Sequence, residues 1–210
     1  DTAVLGHVSA VDLAAVAIGG GIHVALVFAL AGVLQAVGPV VAHLHGARRD
    51  SEVAGILHQG FWLAMLLSVP GVLFLIHPDA LLGMAEMDAA VDAKVRQYLA
   101  ILAWSLPAAL AYRTFYAFCN ALGKPRVLMG IGLVSLGVHA VLARGFALEG
   151  WLGEPLGVAG CALSNVLIGW AACLSGAAYL AWGALRGPYR PFADWQRPRW
   201  PAWRELLRIG

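Results

Sequence analysis

Apolar residues dominate five stretches of this chain, residues 13–44, 56–76, 98–122, 127–148 and 158–182, and short charged loops separate them. Each stretch reaches the ~20 residues that a helix needs to cross a ~30 Å hydrocarbon core. None alternates with period two. The segment Phe61-Trp62-Leu63-Ala64-Met65-Leu66-Leu67 would place apolar groups on both faces of a strand, whereas a membrane barrel strand alternates over about ten positions. Lipid offers the backbone no hydrogen-bond partner, so a span is a helix or part of a closed barrel. The pattern predicts helices, and with them an all-α polytopic membrane protein. A final segment, Trp203-Arg204-Glu205-Leu206-Leu207-Arg208-Ile209-Gly210, reads as the first turns of a further helix.

Composition agrees: 60% of the residues are hydrophobic and 12% charged, and the mean hydropathy is +0.76, far from the balance of a soluble domain. The net charge of +2 is small, and its placement carries more information. Basic residues in short loops mark the cytoplasmic side. Arg48 and Arg49 follow the first stretch, Lys124 and Arg126 follow the third, and Arg186, Arg190, Arg197, Arg199, Arg204 and Arg208 follow the fifth. The intervening loops carry Asp12, then Asp79, Glu86, Asp88 and Asp92, then Glu149 and Glu154, with Lys94 and Arg96 among them. The alternation predicts Arg-rich loops in the cytoplasm and acidic loops outside. Residues 187–201 interleave Pro188, Pro191, Pro198 and Pro201 with Arg and Trp. This predicts a semi-rigid cytoplasmic linker along the lipid surface, with Trp195, Trp200 and Trp203 at headgroup depth, and a boundary between lobes rather than a nucleic-acid patch. The chain opens Asp1-Thr2-Ala3-Val4-Leu5 without an initiator Met, and both ends read as cut from a longer protein.

Ionisable groups at membrane depth cost at least ~2.5 kcal/mol by insertion scales, which makes each a functional candidate. Asp1 stands near the start, His23 midway along the first stretch, Arg113 midway along the third, and His139 in the outer half of the fourth. His139 is the most suggestive, because an imidazole titrates near physiological pH and can relay a proton. Arg113 and Gln35 are read as structural polar groups inside the membrane, and Arg144 is near enough to its helix end to snorkel. His43 and His45 lack a third ligand for a metal, and Cys119, Cys161 and Cys173 read as packing residues. Pro39, Pro70 and Pro107 lie inside or near the ends of spans, where proline removes a backbone donor. Ala172 and Gly176, four apart, suit close helix approach. No Gly-x-Ser-x-Gly elbow and no phosphate-cradling Gly-x-x-x-x-Gly-Lys loop occurs, which argues against a hydrolase or an ATP-driven motor.

Several stretches resemble one family. Asp1-Thr2 with Ser9-Ala10-Val11-Asp12-Leu13-Ala14-Ala15-Val16-Ala17 is similar to the first-to-second helix junction of multidrug and toxic compound extrusion (MATE) transporters of the NorM-like branch. Pro39-Val40-Val41-Ala42-His43-Leu44-His45-Gly46-Ala47-Arg48-Arg49 resembles the end of that family's second helix and the loop after it. Further matches are His58-Gln59-Gly60, Ser105-Leu106-Pro107-Ala108, Tyr112-Arg113, Asn120-Ala121-Leu122-Gly123-Lys124-Pro125 and Gly157-Val158-Ala159-Gly160-Cys161-Ala162. The resemblance implies a helical bundle forming one six-helix lobe, its first helix truncated, of a twelve-helix, two-lobe transporter. Residues 1–183 would be the N-terminal transmembrane lobe from the end of helix 1 to helix 6, 184–203 the cytoplasmic interlobe linker, and 204–210 the start of helix 7. It further implies a secondary antiporter in a bacterial inner membrane, exporting cationic or amphipathic compounds against protons or sodium ions. Its partners would be the bilayer, its small-molecule substrates and the C-terminal lobe of the same chain, with no organic cofactor, no metal and no nucleic acid. Asp1 matches the family's first-helix aspartate, linked to cation coupling and substrate release. Asn165 falls where relatives usually carry a sixth-helix threonine, and His139 and Ala143 fall where they often have two asparagines. Without those two amides a sodium site of that type loses oxygen ligands, and the imidazole favours proton coupling. The alternatives are a lipid-linked oligosaccharide flippase of the same superfamily, a non-transporting truncated product and, least favoured, an intramembrane enzyme.

Overall fold

Two prolines divide the predicted spans. In the computed structural model, which describes residues 9–83, 87–184 and 195–209, the first stretch forms α1 (Ala10–Leu34) and α2 (Val37–Gly46) rather than one helix. Pro39 has no N–H to offer the carbonyl four residues before it. That carbonyl, on Gln35, accepts from the Gly38 N–H instead, at 3.0 Å, and the helix tightens and breaks there. α3 (Asp50–Ile76) continues through Pro70 as a single helix. A short turn of helix, α4 (Asp79–Leu82), precedes α5 (Ala89–Leu102). The third predicted span is split by the same logic as the first. Pro107 leaves the Ala103 carbonyl without its helical donor, the Leu106 N–H takes it, and residues Ala103–Ser105 become a 3₁₀ turn ahead of α6 (Leu106–Ala121). α7 (Pro125–Ala147) and α8 (Val158–Ala184) follow as uninterrupted helices, and α9 (Trp200–Ile209) closes the chain.

α6 is the hub. It packs against α1, α2, α3 and α8, burying Leu106, Leu110, Phe115 and Phe118. Glycines let its neighbours close in: a Cβ on Gly71 of α3 would stand 2.4 Å from Leu106, and one on Gly176 of α8 2.9 Å from the Phe115 ring. Small residues do this work in membranes because lipid is as apolar as leucine and offers no hydrophobic drive for helix association. α7 packs chiefly on α8 and leaves Met129, Leu133, Val134 and Leu136 exposed, as a lipid-facing helix does. Three buried serines donate to the carbonyl three residues back: Ser68 Oγ to Met65, Ser105 Oγ to Leu102 and Ser164 Oγ to Cys161, at 2.7 to 2.8 Å. Cys119 and Cys161 are buried and Cys173 half-buried, all as free thiols.

The charges that interrupt the sign alternation are paired off. Lys94 bonds the buried carboxylate of Asp12, tying α5 to the start of α1. Arg96 bonds both Asp92, at 2.7 Å, and Asp79, and these carboxylates hold its guanidinium above the usual arginine range. Arg144 reaches out of its helix to Glu149 at 2.7 Å. On the opposite face Arg49 forks onto Glu52 at 2.6 and 2.7 Å, and His45 Nδ1 meets Asp50 at 3.0 Å.

In the segment after α8, the described residues 195–199 dock on α3. Gln59, itself buried, donates to the Arg197 carbonyl at 2.9 Å and accepts from the Arg199 N–H at 2.8 Å. Trp62 Nε1 donates to the Gln196 carbonyl at 3.1 Å, and the Gln196 N–H donates to His58 Nδ1 at 3.3 Å. The Trp195 ring lies on His58 with centroids 4.4 Å apart and stacks near Phe61. Trp195 therefore packs against protein while staying 46% exposed, and Trp200 is 69% exposed.

Candidate functional site

Midway along α1, α6 and α8 the three helices part around an open cavity of about 360 Å³, with Val24 and Phe28 exposed at its rim. Small side chains at Ala109, Gly169 and Ala172 leave the space, and His23, Phe28, Tyr112, Arg113 and Tyr116 wall it. The Arg113 guanidinium carbon lies 5.0 Å from the centroid of the Phe28 ring, a cation–π contact. No ion pair among the described residues includes Arg113. His23 Nε2 stands 3.0 Å from Ser105 Oγ. That hydroxyl has one proton, already given to the Leu102 carbonyl, so the network assigns the Nε2–H tautomer to His23, donating to Ser105.

A second polar locus sits toward the end of the bundle that carries the acidic loops. The backbones at the end of α7 and the start of α8 are clamped together: Leu156 N–H donates to the Phe146 carbonyl and Gly157 N–H to the Ala147 carbonyl, at 3.0 and 3.2 Å. A Cβ on Gly160 would lie 2.6 Å from the Phe146 backbone. Counting inward from that clamp, His139 and Asn165 fall about two turns down their respective helices, at matching depth. Asn165 Nδ2 donates to the Cys161 carbonyl at 3.0 Å, within its own helix, and both residues are half-buried. Asp1 lies outside the described residues. Gln35 is exposed at the break between α1 and α2, away from both loci.

The structure thus brings Arg113 together with His23, and sets His139 beside the helix that bears Asn165. The cavity's aromatic wall, Phe28, Tyr112 and Tyr116, and the Ser105 anchor were not legible as a group, since they come from three separate stretches of chain. Asp12 reads as a loop acid in the sequence and proves to be buried against Lys94; its signal was the stray Lys94 in an otherwise acidic loop. No cluster of three or more His, Cys, Asp or Glu side chains among the described residues could hold a metal ion.

Comparison with known proteins assigns this arrangement to a family. The MatE family model matches residues 1–144. Over its whole length the chain is 46% identical to the probable multidrug resistance protein NorM of Aromatoleum aromaticum, of which it covers 45%. It is 31% identical to the multidrug resistance protein NorM of Aliivibrio fischeri, covering 46% of that protein. The chain therefore spans about half the length of the curated relatives it matches. Among solved structures, a MATE protein in the bent conformation superimposes with a TM-score of 0.81 at 22% identity, over 98% of this chain and 45% of that one. An inward-facing multidrug resistance MATE family transporter gives 0.78, also at 22%, over 95% and 44%; likenesses at this identity speak for the fold. Among the described residues, four helical segments are long and apolar enough to cross a membrane. The chain is a multi-pass, all-α membrane protein and belongs to the MatE family, whose members are transporters and not enzymes.

Proposed function

We propose that the chain is the N-terminal lobe of a secondary antiporter that exports cationic or amphipathic toxic compounds by alternating access, with the Arg-rich loops in the cytoplasm of a bacterial inner membrane. The observation that carries this reading is the 46% identity, sustained along the whole chain, to a protein named for multidrug resistance. The coupling ion is a proton or a sodium ion. Asp1 is the switch, and His139 and Asn165 tune it. A proton entering from outside neutralises Asp1, weakens its hold on a cationic substrate, and favours the conformer that releases it. Protonation drives transport in so far as it prefers one conformer, since equal affinity for both shifts nothing. The half-buried imidazole of His139 supplies a protonatable group where a sodium site needs oxygen. Residues 195–199, bonded along α3 through Gln59, anchor the linker to this lobe, and the C-terminal lobe is the partner that moves against it.

The test is efflux of a fluorescent cation from everted vesicles carrying the full-length transporter, under imposed proton or sodium gradients. Proton-driven efflux that falls at least tenfold in Asp1→Asn is the expected result; a loss of that size is about 1.4 kcal/mol of coupling. Efflux indifferent to Asp1→Asn moves the coupling site elsewhere. Absence of efflux under both gradients overturns the antiporter reading.

A further inference from the structure

The geometry points to the cavity between α1, α6 and α8 as a binding site for the carboxylate end of an aromatic amphipathic molecule, with Arg113 as its anion-binding residue. This deepens the transport reading, on which its role as a substrate site rests. Among the described residues that line the cavity, Arg113 is the fixed cation, His23 lies beside it, and neither Asp nor Glu is present. Arg113 lies at the middle of α6, with seven residues of the helix before it and eight after. An ionised guanidinium at that depth is costly unless it faces a cavity or a counter-charge. No carboxylate among the described residues pairs with it. What holds it is the Phe28 ring, 5.0 Å away. The ring supplies no acceptor oxygen, and no hydrogen bond or ion pair of Arg113 occurs among the described residues, so its planar fork of N–H donors, which matches a carboxylate with two parallel hydrogen bonds, is unspent beside the cavity it lines. Around them Phe28, Tyr112 and Tyr116 offer ring faces and edges, and about 360 Å³ falls in the ~300–1,000 Å³ range of small-molecule sites. A simple monocation would meet a fixed like charge here, while an aromatic acid or zwitterion meets its complement.

Equilibrium binding to the purified full-length protein tests this without any gradient, so it can fail or succeed independently of efflux. The probe is anthracene-9-carboxylate, followed by its own fluorescence, against its uncharged methyl ester. The wild type is expected to bind the acid at least about tenfold tighter than the ester, the scale of one charge-assisted bidentate pair. Arg113→Gln should erase that preference while the ester still binds within about threefold of wild type, a result that also certifies the variant's fold. Arg113→Lys keeps the charge but loses the fork, and should retain a reduced preference. Equal binding of acid and ester by the wild type overturns the site. So does a full preference surviving in either variant.

Discussion

At the two basic turns, after α2 and after α6, the same backbone geometry is met by different residues. After α6, the Lys124 N–H reaches back to Cys119 and the Gly123 N–H to Asn120, at 2.9 and 3.0 Å. After α2, the Arg49 N–H reaches Leu44 and the Arg48 N–H reaches His45 at the same two distances. Both are Schellman closures, which need a left-handed residue just past the helix. Gly123 fills that position at φ +66°, and Arg48 fills it at φ 59°. A side chain in that region costs about 1–2 kcal/mol, and glycine gives part of it back in chain entropy. Arg48→Gly should therefore stabilise the protein by about 0.5–1 kcal/mol and Gly123→Ala should destabilise it by about 1 kcal/mol. Thermal unfolding in detergent, with both variants beside the wild type, reads the two shifts. Shifts of the same sign would show that the closures are not equivalent. The arginine persists at a conformational cost in a loop whose positive charge has a topological use.

At the scale of elements, the pattern of apolar residues placed the membrane helices but not their interruptions. Periodicity is blind to a missing N–H, so residues 13–44 and 98–122 read as single spans although Pro39 and Pro107 each strand a carbonyl that a 3₁₀-type bond then rescues. Pro70 strands one too and α3 stays whole, so proline alone marks a candidate break, not a certain one. The docking of residues 195–199 was hidden for a different reason. Pro, Arg and Trp in a short loop fit a lipid surface as well as a protein groove, and what decides is the buried Gln59, a residue 138 positions away from Arg197 in sequence. Gln59→Leu removes both of its hydrogen bonds to that backbone. At about 1 kcal/mol net apiece, the segment should open ten- to thirtyfold more often, by about that energy. Limited trypsin cleavage after Arg199 measures it, since cleavage of a transiently open segment tracks its open population; Arg197 precedes Pro198 and is a poor site. An unchanged cleavage rate would mean that Trp195 stacking, not Gln59, holds the segment. The polar loci were legible as residues and not as places. His139, Arg113 and His23 stand out as ionisable groups in apolar runs, but which of them face one another follows from helix packing that the small residues at 71, 160 and 176 set.

At the scale of the whole molecule, the ion pairs explain why the topology signal survives its exceptions. The positive-inside rule counts basic residues near span ends, and Lys94 and Arg96 sit on the acidic side. Lys94 is tied to Asp12, and Arg96 to Asp79 and Asp92, so neither presents an unbalanced charge to that face. On the other side the acids Asp50 and Glu52 are tied to His45 and Arg49, leaving Arg48, Arg126, Arg197, Arg199, Arg204 and Arg208 in described positions to carry the bias. Each face thus keeps its sign after local pairing. The orientation follows as a prediction that single cysteines can decide. In a background with Cys119, Cys161 and Cys173 changed to alanine, Glu154→Cys in the exposed loop before α8 should react with a membrane-impermeant maleimide in intact cells. Ser51→Cys, at the start of α3 and exposed in the structure, should react after the membrane is opened and not before. The reverse pattern would turn the protein over. It would also place Asp12, and the His139–Asn165 level above it, on the cytoplasmic side, where a proton entering from outside could not reach them first; the labelling experiment therefore bears on the coupling scheme as much as on topology.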